Sequence, residues 1–244
     1  MKYFRIRYSL DAKVRGCQND TIKDYKYYCN INDPKFIGMI HFQKVDFNPI
    51  PVSPVLFSKA NKTDLIQEGG QLSGKIVIST KLKSILQKND YGVQYFQNSI
   101  IHKEIEDNTY WAVNPYQTLD ENIDFMNSSI LYEKKKQDFN VSYQVERVSM
   151  TIKSFTEYKS KLQEVLYNDE IMYIEKATLL ESSIKVDFFT LKNMIGGNFY
   201  VSEKLKEEIE DAGCTGIEFQ PIELSYNEWT ALGGEREKVY GKSW

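Results

Sequence analysis

The residues whose types and spacing could do chemistry in this chain are carboxylates. Asp120, Glu121 and Asp124 follow a segment, residues 108–117 (NTYWAVNPYQ), that carries Tyr110, Trp111 and Tyr116. Two carboxylates facing each other across a cleft, with rings to stack on a sugar, are what glycoside hydrolysis requires. Closeness in sequence does not supply that facing geometry, and a short acidic run is more simply a solvated loop. Other catalytic equipment is missing. His41 and His102 stand far apart with no HExxH spacing, and Cys17, Cys29 and His41 match no recurring zinc pattern, so no metal is expected. There is no GxSxG elbow, Walker loop or GxGxxG turn. The glycine pairs at 69–70, 196–197 and 233–234 read as turns, and the 196–197 pair precedes a strand instead of the helix N-terminus that would hold a phosphate. The expectation is a protein with no catalytic residues and no cofactor. The alternative is a carbohydrate-binding or glycoside-hydrolysing protein built on the aromatic residues with Asp120 and Asp124.

The elements that would position these residues read as α+β, strand-rich with a few helices. In residues 2–9, Tyr3, Arg5 and Arg7 alternate with Phe4, Ile6 and Tyr8, the pattern of a strand. Pro49, Pro51 and Pro54 interrupt regular structure, and the apolar residues among them suggest a surface loop, not a tether. Residues 108–117 read as a strand stopped by Pro115, residues 120–137 as polar and irregular, and residues 139–152 as alternating again. Within the irregular stretch, Lys134, Lys135 and Lys136 are flanked by Glu133 and Asp138, a solvated patch. Ser154 and Glu157 have capping-box spacing ahead of an amphipathic helix running to Leu166. Strands are expected near 171–177 and 184–191.

One pattern occurs twice. Residues 199–206 (FYVSEKLK) match residues 76–83 (IVISTKLK), with Ser202 on Ser79 and Leu205 on Leu82. The second copy ends at Ala212–Gly213, a left-handed helix stop, and the first offers Asn89 in that role. Each is followed by a strand-like run, GVQYFQ from Gly92 and GIEFQ from Gly216; the glycines align only with a one-residue gap, whereas Phe96–Gln97 aligns with Phe219–Gln220 without one. A duplicated strand–Ser–helix–Gly–strand unit is inferred. It divides the chain into residues 1–105 and 106–244, each with one copy, either as two halves or as one compact domain.

Composition bounds the function classes. The chain has 244 residues, 41% hydrophobic and 27% charged, ordinary for a globular protein and enough for a full core. Lys and Arg number 31 against 34 Asp and Glu, so no concentrated basic footprint for nucleic acid is expected. No stretch approaches the roughly 18 apolar residues of a membrane helix. The N-terminus lacks the apolar core of a signal peptide and the three cysteines are unpaired in spacing, which together read as cytoplasmic. Aromatic residues reach 14%, which favours half-buried strands and supplies interface anchors.

Residues 199–219 (FYVSEKLKEEIEDAGCTGIEF) resemble the C-terminal signature of a bacterial immunity-protein family, immunity protein eleven, of polymorphic toxin systems. Val201, Ser202, Leu205, Ala212, Gly213, Gly216 and Phe219 fit that signature. A looser likeness lies in residues 110–114 (YWAVN) followed by Asp120, Asp124 and Ser128–Ser129. The two cover most of the chain beyond about residue 70; no motif covers the segment before it. The resemblance implies a binder of a cognate protein toxin, without cofactor or catalysis; the charge balance and the lack of an apolar span add the expectation of no nucleic acid and no membrane. The signature itself reads as structural, so the binding surface is expected elsewhere: on the acidic helix with Glu203, Glu207 and Glu210, or in the region of Trp111, Tyr116, Asp120 and Asp124.

Overall fold

A computed structural model describes residues 2–66, 72, 74–135 and 145–242. The strands are β1 (Tyr3–Tyr8), β2 (Ile22–Tyr27), β3 (Val52–Leu56), β4 (Leu65–Ile66), β5 (Ile76–Ser79), β6 (Val93–His102), β7 (Ile105–Pro115), β8 (Ser129–Lys135), β9 (Val145–Met150), β10 (Ile171–Lys176), β11 (Phe188–Thr190), β12 (Phe199–Ser202) and β13 (Ile217–Pro221). The helices are α1 (Ala12–Arg15), α2 (Thr80–Leu86), α3 (Phe155–Tyr167), α4 (Glu203–Asp211), α5 (Tyr226–Thr230) and α6 (Glu235–Tyr240). Three sheets result, in the orders β2-β3-β6-β7-β5-β4, β11-β12-β1-β13 and β10-β8-β9. The fold is α+β and strand-rich.

Two expectations are corrected. Residues 52–56 form an interior strand, not a loop, with Val52, Ser53, Pro54 and Leu56 buried. The apolar content that argued against a tether goes into the sheet, and Pro54 is tolerated where β3 meets β6 at a single register pair, Val55 with Ile101. Residues 129–135, expected to be irregular, form the middle strand of the third sheet. The charged run there hides the period of two, and Ile130 alone in it is deeply buried, beneath strands supplied by distant segments. Lys136 and residues 139–144 lie outside the described residues.

The layering follows from runs that are apolar on both faces. Ile76, Ile78, Phe199, Val201 and Phe188 enter one core, joined by Leu82, Leu86, Leu205 and Ile209 from α2 and α4. Their alternating neighbours face other layers: Val77 joins a core with Phe96 and Ala112, and Tyr200 and Phe189 join one with Tyr158 and Ile174. A strand covered on both faces loses the apolar–polar alternation and reads as a continuous hydrophobic run. β1 obeys the same rule from the other end of the chain. It sits between β12 and β13, antiparallel to both, so the N-terminus completes a sheet otherwise made of residues 188–221.

Both helices begin on a serine clamped by an aspartate. Ser79 Oγ accepts from Leu82 N (3.2 Å) and donates to Asp64 Oδ1 (2.6 Å). Ser202 Oγ accepts from Leu205 N (3.2 Å) and donates to Asp187 Oδ1 (2.6 Å). Each aspartate then reaches the turn that follows the other helix: Asp64 Oδ2 accepts from Thr215 N (2.8 Å), and Asp187 Oδ2 accepts from Asn89 Nδ2 (2.7 Å). Asn89 therefore bonds through its side chain and is not in the left-handed region, where Gly213 is found at φ +63°. Gly92 and Gly216 both have positive φ and both offer their carbonyls to the chain beyond a neighbouring strand, to Tyr116 N and Ser9 N respectively. A side chain at Gly216 would strike Thr63, whose Cβ lies 2.4 Å from the place a Cβ would occupy.

Leu205 is 3% exposed inside the core shared by α2 and α4. Leu205→Ala should lower unfolding free energy by about 2–5 kcal/mol in urea titrations, with little change in slope. Ser202→Ala, which removes a cap and leaves Asp187 short of a donor, should cost about 1–3 kcal/mol by the same measurement; an unchanged midpoint would contradict the clamp.

Candidate functional site

The structure separates the residues that the sequence grouped. Trp111 projects from β7 toward the start of α2, where its Nε1 donates to Thr80 Oγ1 (2.9 Å) and Lys83 Nζ lies 4.3 Å over its ring. It is partly exposed and packs against the core beneath α2 and α4. Tyr116 lines a different hollow, with Phe42, Asp120, Phe155 and Lys192, and has Lys44 Nζ 5.3 Å from its ring centre. Asp120 is 4% exposed and takes the Thr118 hydroxyl and the backbone N–H of Lys192 (2.9 Å). Burial raises its pKa against those bonds, and its work is to tie the loop after β7 to the loop before β12. Asp124 holds its own turn, accepting from Asn127 Nδ2 (2.7 Å), and is not among the residues lining that hollow. Asp124 thus does not share the hollow with Asp120; Glu121 lines it instead, and Asp120 is tied up in the loop bonds just described.

The acidic helix is present as expected. Glu203 occupies its first turn, where its charge meets the positive end of the helix dipole. Glu207 and Glu210 are exposed; Glu210 pairs with Lys206 (2.8 Å), and Glu207 makes no ion pair among the described residues. Across the contact between α2 and α4, Lys88 bonds Glu208 (3.2 Å) and Lys81 Nζ donates to the Gly213 carbonyl (2.8 Å). Trp111 thus contacts the start of α2, and α2 contacts α4 through Glu208 and the Gly213 turn. Tyr116, Asp120 and Asp124 belong to other parts of the molecule.

A family model, the immunity protein family (Imm11), matches residues 3–224. The chain belongs to the Imm11 family. No curated protein matches it. The family match begins at β1 and so extends over the first seventy residues, which carried no recognisable motif. Its C-terminal signature is structural in this Imm11 protein: Ser202 caps α4, Leu205 and Phe219 are core, and Gly213 and Gly216 hold left-handed turns.

Sequence reading passed over the polar residues buried beneath the C-terminal segment of this Imm11 chain. Glu218 and Arg236, 1% and 4% exposed at their side chains, form a two-pronged ion pair at 2.7 Å. The same carboxylate also accepts from Ser9 Oγ (2.9 Å) and Leu10 N (2.8 Å), so every oxygen is used. Next to it, β1 carries Arg5 and Arg7 on one face; the alternation of residues 3–8 was the available signal, two cations on a face that a central strand must bury. The helix α5 closes over Arg7, with Tyr226 5.0 Å from the guanidinium carbon. Its capping box is complete, because Ser225 and Glu228 bond reciprocally.

Glu228 is held down to a pKa of about 2, first by the Ser225 backbone N–H, then by the Ser225 hydroxyl and Lys176. A depressed carboxylate contributes stability above its unfolded pKa and loses it as pH falls toward the folded value. Stability measured in urea should therefore decline between about pH 4.5 and pH 2. Glu228→Gln should flatten part of that decline, and an identical acid profile for the variant would contradict the assignment.

Proposed function

We propose that this protein neutralises a cognate protein toxin of a bacterial polymorphic toxin system by binding it stoichiometrically in the cytoplasm of the producing cell. The observation that carries the reading is the Imm11 match across residues 3–224. The polar residues fit a binder better than an enzyme. Asp120, Asp187 and Glu218 are each committed to hydrogen bonds that hold loops, caps or strands together. Among the described residues, no group of three His, Cys, Asp or Glu is placed to hold a metal ion.

The face we assign to the toxin is the one that joins Trp111 to α2 and α4. Interfaces are anchored by aromatic side chains that leave water on binding, and acidic rims speed the approach of a basic partner. Trp111 meets the first requirement, held in one orientation by Thr80 and Lys83 while part of its ring stays in contact with solvent. Glu203, Glu207 and Glu210 meet the second. Tyr116, Asp120 and Asp124 lie apart from it and are left out of the face.

Co-expression with the toxin encoded beside it should protect cells in proportion to the amount of this protein, and the purified pair should form a complex. In a kinetic binding assay, Glu207→Lys with Glu210→Lys should slow association most at low salt, because such charges are screened within about 8–10 Å at physiological ionic strength. Trp111→Ala should instead speed dissociation, by about tenfold or more if the ring is an anchor. No complex at micromolar concentrations, or protection at strongly substoichiometric amounts, would refute the binding mechanism.

A further inference from the structure

Arg5 and Arg7 are two guanidinium groups that pair with no carboxylate among the described residues. Both point to the same face of β1 and come together at the turn before β12: a Cβ on Gly196 would lie 3.2 Å from Arg7 Nη1 and Nη2 and 3.7 Å from Arg5 Nη1. Among the described residues their bonds go to neutral acceptors. Arg5 donates to the Tyr200 hydroxyl (2.9 Å) and the Ile195 carbonyl, and Arg7 to Gln220 Oε1 (2.7 Å) and the Gly196 carbonyl. Glu218, the register partner of Arg7 on β13, is consumed by Arg236. Arg7 Nη2 is buried with no acceptor among the described residues. Burial, with Arg5 adding to it, lowers the Arg7 pKa to about 10, so the group stays charged at neutral pH.

Arg5 is buried and Arg7 half-buried, and two adjacent like charges bonded to no carboxylate are costly; a buried donor without an acceptor adds to that cost. Arg7 lines a cleft of about 480 Å³, and Arg5 stands behind it at the Gly196 turn. Arg147 stands in the same lining, with Tyr8, Tyr173 and Asn227 as polar groups and Leu10 and Ile195 as apolar ones. One carboxylate, Glu175, also lines it, and Arg147 is paired with Glu133 (2.8 Å) outside the lining. Tyr226, exposed and with no hydrogen bond from its hydroxyl among the described residues, covers Arg7 as a ring that can turn aside.

We propose that this cleft is a carboxylate-binding site, in which Arg7 receives the carboxylate, Arg5 supports it from behind, and Arg147 faces it from across the opening. Arginine suits the role because its planar fork bonds both oxygens of a carboxylate at once. The carboxylate can come from an acidic side chain of a bound polypeptide, with a neighbouring apolar residue against Leu10 and Ile195, or from a small free acid. The site is separate from the toxin face assigned above and does not depend on it.

The Arg7 Nε–Hε resonance of the full-length protein, followed by nitrogen-15 NMR at constant ionic strength, tests this directly. The probes are sodium acetate and the capped dipeptide acetyl-Leu-Glu-amide, with sodium chloride and acetyl-Leu-Gln-amide as controls. A saturable shift with a carboxylate probe and none with its control supports the site. Tighter binding of the dipeptide than of acetate points to a polypeptide ligand, and equal binding points to a small acid. Shifts that stay linear, or that the controls reproduce, overturn the proposal. Arg7→Gln, followed instead at the neighbouring Arg5 Nε–Hε resonance, should weaken binding at least about tenfold, the loss expected when a charged hydrogen bond is removed. Glu175→Gln, which removes the cleft's own negative charge and leaves the arginines in place, should tighten it; weaker or unchanged binding in that variant would also count against the site.

Discussion

The two aspartate–serine clamps are the constraint on which the arrangement of this molecule depends. A serine N-cap alone orders the first turn of one helix. Here Asp64 and Asp187 each hold such a serine from the strand before it and bond, with their second oxygen, the turn after the other helix. Helix start, helix end and sheet edge are thereby fixed to one another by charge-assisted bonds that link segments more than 90 residues apart. Asp187 shows the balance: burial pushes its pKa up, but the bonds from Ser202 and Asn89 outweigh it, and the carboxyl remains below its usual value. With the caps held this way, α2 and α4 lie against each other and bring Leu82, Leu86, Leu205 and Ile209 into a single core.

That core in turn places β1. The sheet of β11, β12 and β13 has an opening between β12 and β13 that only an antiparallel strand apolar on one face can fill, and Phe4 and Ile6 supply that face. The opposite face of the same strand carries Tyr3, Arg5 and Arg7. Tyr3 packs against Phe189 at 5.4 Å, Arg5 lies against the Tyr200 ring, and Arg7 lies under Tyr226 of α5. The N-terminus thus joins the last third of the chain, and residues 93–115 make one continuous hairpin across position 105. Halves divided at that position would each lack a strand of their own sheet.

Charge is distributed in two ways across the molecule. On the surface of α2 and α4, lysines and glutamates alternate and pair loosely in solvent, where each pair contributes little to stability and the net field matters for encounter. Glu218 on β13 and Arg236 of α6 are fully paired, while Arg7 keeps one donor with no acceptor among the described residues. The first pattern suits steering of a partner across a broad face. The second concentrates unmet hydrogen-bonding capacity at one cleft.

Local features were legible in the sequence because their causes are local. The caps at Ser79, Ser154 and Ser202, the strand alternation of residues 3–8, the buried runs at 76–78 and 199–201 and the family signature all lie within about twenty consecutive residues. Even there, one side chain departs from expectation: Glu157 bonds the N–H of Lys153, one residue before the cap, because the carboxylate reaches further back than the box requires. What only the tertiary structure decided were choices among distant partners. Asn89 became the mate of Asp187, not a helix stop; residues 52–56 became an interior strand; and Trp111 was parted from Asp120 and Asp124 by the turn at residues 115–118. A single sequence records which residues must be buried or capped. It does not record which of several compatible surfaces meets them, because that choice depends on the joint packing of strands supplied from both ends of the chain.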